Sequence, residues 1–228
     1  MDLSTKFWHL LQFKMSNRLS KKEMIHLCSS LVMEYYKKGD QIRFNRKTPK
    51  DVFFLKKGTI KIVQLWDNGD EIVKDIIKTG DIFGIHGLLN VDKIDDYAIA
   101  IEDTMVCVID ASTLQNMMGE NENLNNYIFK LAGLHIKKLE RKLESLLYKD
   151  SETRIKEFII EHIYEFGEEK DGTIITKKLL SDSDIGKLTS TSRQTVNKVL
   201  NQMKKEGGIY FDNKIVSMQK RTKNRRSN

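Results

Sequence analysis

Phe129, Ala132, Ile136, Leu139, Leu143 and Leu146 recur at alternating spacings of three and four residues. That rhythm keeps one apolar stripe in line along a helix, as in a coiled-coil seam. The pattern predicts a long helix from about Leu124 to Tyr148. Such a stripe must be covered, either by the same chain or by the matching stripe of a second copy, and the regular spacing favours a homodimer built on these six residues. A neighbouring face, formed by Leu124, Ile128, Leu131 and Leu134, is expected to pack back on the rest of the chain.

The segment before this helix has a different texture. Residues 4–34 carry helical spacing, with Leu19-Ser20 preceding Met24, Ile25, Leu27, Leu31 and Val32, and predict one or two short helices. From Glu34 to Asp110 come short apolar or alternating runs: Gln41–Phe44, Asp51–Leu55, Thr59–Leu65, Glu71–Ile77, Asp81–Phe83, Tyr97–Ala100 and Thr104–Ile109. They are separated by Lys38-Gly39-Asp40, Lys57-Gly58, Asp67-Asn68-Gly69-Asp70 and Thr79-Gly80-Asp81. Asn68-Gly69 is a hairpin signal, because both central positions of that tight turn need positive φ. Strands this closely spaced predict an antiparallel β-barrel or jelly roll, and the whole chain an α+β protein.

After the long helix, Asp150 or Ser151 caps a further helix whose inner face is Ile155, Phe158, Ile159, His162 and Ile163. Glu168–Gly172 is expected to be a turn and Thr173–Thr176 a strand. The segment from Leu180 to Met203 then holds two short helices with a tight turn between them. Ser181 and Asp184 form a capping box for the first, with Ile185 and Leu188 facing inward. Thr191 or Ser192 caps the second, whose inner face is Val196, Val199, Leu200 and Met203, leaving Arg193, Gln194, Asn197 and Lys198 to project outward. Outward polar side chains on the first turns of a second helix are what major-groove reading requires. Arg can bond guanine O6 and N7 as a pair, and Gln can do the same with adenine N6 and N7. Ser192, Thr195 and the amides at the helix start suit phosphate oxygens. Gly207-Gly208, Ile209–Phe211, Asp212-Asn213 and Lys214–Met218 read as a two-stranded wing.

Charge points to the same partner. The net charge of +7 lies entirely in the segment from Ser181 onward, where eleven Lys and Arg face four acids; the first 180 residues carry 28 charges of each sign. A basic end on a neutral body favours a polyanion, here double-stranded DNA. A non-specific or architectural DNA binder would also keep the basic run Lys220, Arg221, Lys223, Arg225 and Arg226, but would not need the ordered Arg193-Gln194 pair.

The run Asp184-Ile185-Gly186 through Thr191-Ser192-Arg193-Gln194-Thr195-Val196 closely resembles the DNA-binding motif of the Crp/Fnr family of bacterial regulators. Gly80-Asp81-Ile82-Phe83-Gly84 and Lys38-Gly39-Asp40 resemble that family's β domain. The resemblance covers essentially the whole chain. It implies a cyclic-nucleotide-binding-like effector domain over 1–122, a dimerisation helix over 123–149, and a winged helix-turn-helix with basic tail over 150–228. It further implies that Arg193, Gln194 and Lys198 read bases while Ser192 and Thr195 hold phosphates, with Thr191 and Asn197 beside them. RNA polymerase is implied as a partner, through the surface around Glu168–Thr176 or through the barrel. Three positions depart from the family pattern: Gln194 stands where Glu is common, Lys198 replaces a frequent Arg, and Ser190 replaces the usual turn Gly.

The β domain departs further. Cyclic-nucleotide binders of this family follow the Phe-Gly with a Glu for the ribose and later place an Arg before a small residue for the phosphate. Here Ile85 and His86 follow Gly84, Asp96 precedes Tyr97-Ala98, and Leu139-Glu140 falls near the purine-contacting pair. An acid where a phosphate must sit reverses the sign of the interaction. The candidate effector pocket (Phe83, Gly84, Ile85, His86, Asp96, Tyr97) is therefore expected not to take cAMP or cGMP in the usual mode, and its effector is unknown. No cofactor or metal is expected. Cys28 and Cys107 are too few for a cluster and read as small buried residues; Cys107 is expected to have no basic neighbour. His86 and His135 are expected to be structural rather than haem ligands. The scattered histidines and the lack of a nucleophile–base or phosphate-loop motif argue against an enzyme. No apolar run approaches the roughly 20 residues that span a bilayer, and the first residues lack a signal-peptide pattern, so a cytoplasmic protein with no membrane partner is expected.

Overall fold

Strand β3 (Asp51–Lys57) buries Val52, Phe53, Phe54 and Leu55 without a break. Because successive side chains point to opposite faces, an unbroken buried run requires cover on both sides. In the computed structural model, which describes residues 6–7, 10–44, 51–66, 69–89, 96–178, 180–212 and 215–219, that cover comes from two sources. Phe53 and Leu55 enter a core with Ile42, Ile60, Phe83, Ala98 and Val106. Val52 and Phe54 enter another with Phe13 and with Leu27, Leu114, Leu124 and Ile128, the last four contributed by helices. Strand β8 (Thr104–Asp110) divides in the same way, with Val106 and Val108 to the first core and Cys107 and Ile109 to the second.

Two four-stranded antiparallel sheets result. One has the order β1 (Val32–Tyr36), β8, β3, β6 (Ile82–Phe83); the other has β2 (Gln41–Arg43), β7 (Asp96–Ala100), β4 (Thr59–Leu65), β5 (Glu71–Lys78). Of the two expected forms this is the jelly roll, with two sheets rather than one closed barrel. Gly58 shows why the turn between β3 and β4 needs glycine: its φ is +96°, and an added Cβ would lie 2.5 Å from Thr104 Oγ1. Asn68 of the expected Asn68-Gly69 hairpin, the Asn213 turn and the tail from Lys220 lie outside the described residues.

Helix α1 (Lys21–Ser30) starts at a Ser20–Glu23 capping box. It stops at Leu31, which turns extended, and Val32 opens β1 rather than continuing the helix as its apolar character suggested. Helix α2 (Ala111–Glu120) was not expected. Asp110 caps it by accepting from the Ser112 and Thr113 amides, and Leu114 and Met117 bury its inner face. Helix α3 (Glu122–Tyr148) follows; Leu124 and Ile128 are buried and Leu131 packs beside them. Leu134 departs from expectation. It is 55% exposed and does not pack back on the chain.

The chain divides into two compact units, Met1–Arg141 and Lys142–Asn228. In the second, Asp150 caps α4 (Ser151–Phe166) by accepting from the Thr153 amide at 2.7 Å. A four-stranded antiparallel sheet has the order β11 (Ile209–Phe211), β12 (Ile215–Gln219), β10 (Thr173–Lys177), β9 (Glu168–Lys170). Glu168–Lys170 thus pairs as a strand where a turn was expected, and Asp171-Gly172 alone makes the reversal. Helices α5 (Asp182–Thr189) and α6 (Arg193–Glu206) complete the unit. Ile155, Ile163, Ile185, Val196, Val199 and Val216 are among its buried residues.

Candidate nucleic-acid interface

Helix α6 separates its residues by face. Val196, Val199, Leu200 and Met203 are buried, while Arg193, Gln194 and Lys198 are exposed on the first turns. The same exposed stripe continues through Asn201 and Lys205, which the sequence reading left out; their three- and four-residue spacing from Gln194 and Lys198 was the available signal. Ser192 is the N-cap, its Oγ accepting from the Thr195 amide at 3.0 Å and lying 2.9 Å from Thr195 Oγ1. Thr191 is turned inward instead, with its Oγ1 2.9 Å from Thr189 Oγ1. Asn197 donates from its side-chain amide to the Arg193 carbonyl at 3.1 Å, which holds it along the helix. The positive end of the helix dipole and the outward amides of the first turn favour an anion at this end.

The preceding turn sets where α6 starts. Ser181 and Asp184 form the expected capping box of α5. Gly186 lies so close to the turn that an added Cβ would approach the Thr191 carbonyl to 2.8 Å, and that carbonyl's own amide donates to Gly186 O at 2.8 Å. Ser190 adopts the left-handed conformation, φ 53° and ψ 50°. A residue with a Cβ is disfavoured there by about 1 kcal/mol, partly offset by glycine's greater freedom when unfolded. Ser190→Gly is therefore expected to stabilise the second unit by up to about 0.5 kcal/mol, read as a slightly higher melting temperature. A lower melting temperature would mean that the Ser190 side chain contributes more than its backbone strain removes.

In the first unit, the six candidate effector residues comprise an apolar set and a polar set. Phe83 is buried and stacks on Phe53 at 5.0 Å. Gly84, at φ +74°, lies against the same ring, and Ile85 packs on the helix-covered core. Asp96 is nearly buried and accepts from Lys74 Nζ at 2.7 and 3.0 Å. Tyr97 donates to Glu71 at 3.2 Å. Lys74 was not foreseen, and a β-bulge explains its position. Ile62 pairs with Asp75 and Val63 with Val73, so Lys74 is the extra residue of β5 and its side chain is re-aimed. The buried positions Val73 and Ile76 are three apart rather than two, as the bulge requires. His86 is half-buried, and desolvation lowers its pKa against the opposing pull of Asp96, with His135 and Lys74 lowering it further.

Cys28 and Cys107 are both free and buried in the same core. Cys107 does have basic neighbours, Lys56 and Lys6, contrary to expectation. Burial outweighs them and pushes its thiol up to about 11, so it is not a reactive thiolate. Among the described residues, no group of three or more His, Cys, Asp or Glu converges as a metal site, and no helix is long and apolar enough to cross a membrane.

A double-sheeted β domain, a long helix, and a sheet-flanked helix-turn-helix define the class: a cyclic-nucleotide-binding-like domain joined to a winged helix. Residues 33–121 match the family described as Cyclic nucleotide-binding domain. The chain is 26% identical over 192 residues to the Global nitrogen regulator of Nostoc sp., covering 83% of this chain and 86% of the relative. It is 24% identical over 206 residues to the Fumarate and nitrate reduction regulatory protein of Yersinia pestis, covering 90% and 78%. It shares the fold of FixK2 from Bradyrhizobium japonicum with a TM-score of 0.72 at 20% identity, over 86% of this chain and 94% of that one. The chain thus contains a cyclic nucleotide-binding domain over residues 33–121, and along most of its length it is similar to regulators of the Crp/Fnr kind. Its relatives are transcription regulators rather than enzymes, and DNA-binding transcription regulation is the class of function they support.

Proposed function

We propose that this protein is a homodimeric, sequence-specific transcription regulator that reads a near-palindromic operator and does not take cAMP or cGMP in the usual mode. The observation that carries the reading is α6: one face buried, and Arg193, Gln194 and Lys198 exposed at its capped start. In this reading Arg193 and Gln194 pair with base edges, Lys198 makes a less directional contact, and the Ser192–Thr195 hydroxyls and first-turn amides meet phosphates. Thr191 and Asn197 support the turn and the helix rather than the DNA. Phe129, Ala132, Ile136, Leu139, Leu143 and Leu146 form the dimer seam. Two-fold symmetry then sets the recognition helices about 34–36 Å apart, one turn of DNA.

The effector argument rests on Lys74. Asp96 stands where a cyclic phosphate would need a cation, and the bulge-directed lysine already neutralises it. A phosphate entering here would meet the carboxylate and compete for its ammonium partner, which is unfavourable. RNA polymerase is the protein partner the family resemblance implies, and we assign it the β9–β10 hairpin from Glu168 to Thr176, where Glu168, Glu169 and Lys170 are exposed.

Arg193→Ala tests the base-reading role. It is expected to weaken binding to the preferred sequence by about 1–3 kcal/mol and to relax one base position per half-site. Competition titrations with single-base variants at fixed salt would show this. An equal loss on every DNA sequence would assign Arg193 to phosphate instead and favour the non-specific reading.

A further inference from the structure

The guanidinium of Arg154, on the first turn of α4, reaches two places that the sequence separates by some 40 residues. Its Nη1 donates to the Lys149 carbonyl at 2.7 Å, at the link that leaves the long helix. Its Nε donates to the Thr189 carbonyl at 3.0 Å and its Nη2 to the Ser190 carbonyl at 3.2 Å, the end of α5 and the left-handed turn residue. A fourth, longer contact reaches Ser151 Oγ at 3.5 Å. Carbonyls at a helix end lack intrahelical donors, and a cation there also meets the negative end of the dipole. One planar group with donors pointing in fixed directions therefore ties the link to the turn that launches the recognition helix.

We propose that Arg154 is a positioning residue for DNA recognition, a bracket that fixes the start of α6 relative to the Lys149–Asp150 link. The inference rests on the DNA-reading function proposed above. Arg154 need not touch DNA. Its role is to hold the Thr189–Ser190 carbonyls, so that Ser192, Arg193 and Gln194 start from one defined orientation. Among the described residues, the turn's other bonds are local to α5 and the turn: Thr189 to Ile185 and Thr191, the Thr191 amide to Gly186 O at 2.8 Å, and the Ser190 amide to Gly186 O and Lys187 O. A lysine at this position keeps the charge and the stem, but its single ammonium cannot span the three carbonyls that the guanidinium fork reaches.

The test compares Arg154→Lys and Arg154→Ala with the unchanged protein in three readings: melting temperature, affinity for the selected operator and for random-sequence DNA at equal salt, and amide exchange at Ser190 and Thr191. Arg154→Lys is the decisive variant if Arg154→Ala does not fold. The bracket predicts that Arg154→Lys stays folded, binds random DNA within about twofold of the unchanged protein, and loses about tenfold or more on the operator. It also predicts faster exchange at the Ser190 and Thr191 amides, with the α4 interior unchanged. A proportional loss on both DNAs together with a lowered melting temperature would reduce Arg154 to general stability and overturn the proposal. An unchanged operator-to-random ratio in a folded variant would overturn it as well. If the unchanged protein itself prefers no sequence, the DNA reading fails separately, and the exchange at Ser190 and Thr191 decides the bracket alone.

Discussion

Replacing Ile136 and Leu143 together with aspartate is expected to convert the protein to monomers without unfolding it. In one chain the seam faces solvent: Phe129, Ile136, Leu139 and Leu143 are each 53–63% exposed and Leu146 is 39% exposed. Burying a leucine or isoleucine contributes about 1.5–3 kcal/mol, and the two-fold axis doubles each substitution. Aspartate removes that contribution and adds a charge that must either be desolvated or force the helices apart. The dimer should weaken by about a thousandfold or more, corresponding to about 4 kcal/mol. Sedimentation equilibrium reads this directly, and circular dichroism should show helix content retained, because both side chains are 58% exposed in one chain. Operator affinity should fall with it, since one recognition helix covers one half-site. A monomeric unchanged protein, or a double variant that still dimerises, would remove the seam from the account.

Acid should destabilise the second unit through one histidine. His162 lies between Phe158 and Phe166, with ring centroids 5.9 and 4.4 Å away, and desolvation lowers its pKa to about 4 against a weaker opposing effect of Glu165. The unfolded chain takes up this proton below the ordinary value of about 6.5, the folded chain only below about 4. Between the two the unfolded state binds more protons. Stability is therefore intact above that window and is lost as pH falls through it, by about 2 kcal/mol at about pH 5 and about 3 kcal/mol in full. Exchange at the Val199 and Leu200 amides, inside α6, reports this unit separately. His162→Phe keeps an aromatic ring in the stack and removes the titration, so its stability should vary less over the same range. Identical pH dependence in the two proteins would place the proton elsewhere.

The parts of the fold that follow a strong local period were readable in the sequence. The long helix, the capping box at Ser181, and most strand positions obey spacing or cap chemistry that needs no tertiary information. What was missed depends on neighbours. Val32 looks like the end of a helix and becomes an edge strand because β8 offers it a partner. Helix α2 is short, and only its Asp110 cap and the spacing of Leu114 and Met117 announce it. The outward position of Arg193, Gln194 and Lys198 on α6 was legible because a buried stripe fixes which side faces out. The Lys74–Asp96 pair was not, because a bulge redirects the lysine and only the register against β4 reveals it. Arg154 was equally hidden: its partners are backbone carbonyls, which carry no residue signature.

The central claim is that the protein, as a dimer, selects a particular DNA sequence. Selection from a random duplex pool by the purified, ligand-free protein, at about 150 mM salt to suppress purely electrostatic binding, tests it most directly. The account predicts enrichment of an inverted repeat whose half-sites are centred about 10 base pairs apart. If the folded, dimeric protein enriches no sequence, and still enriches none when candidate effectors are added to the same pool, it binds DNA without reading it, and the account is contradicted.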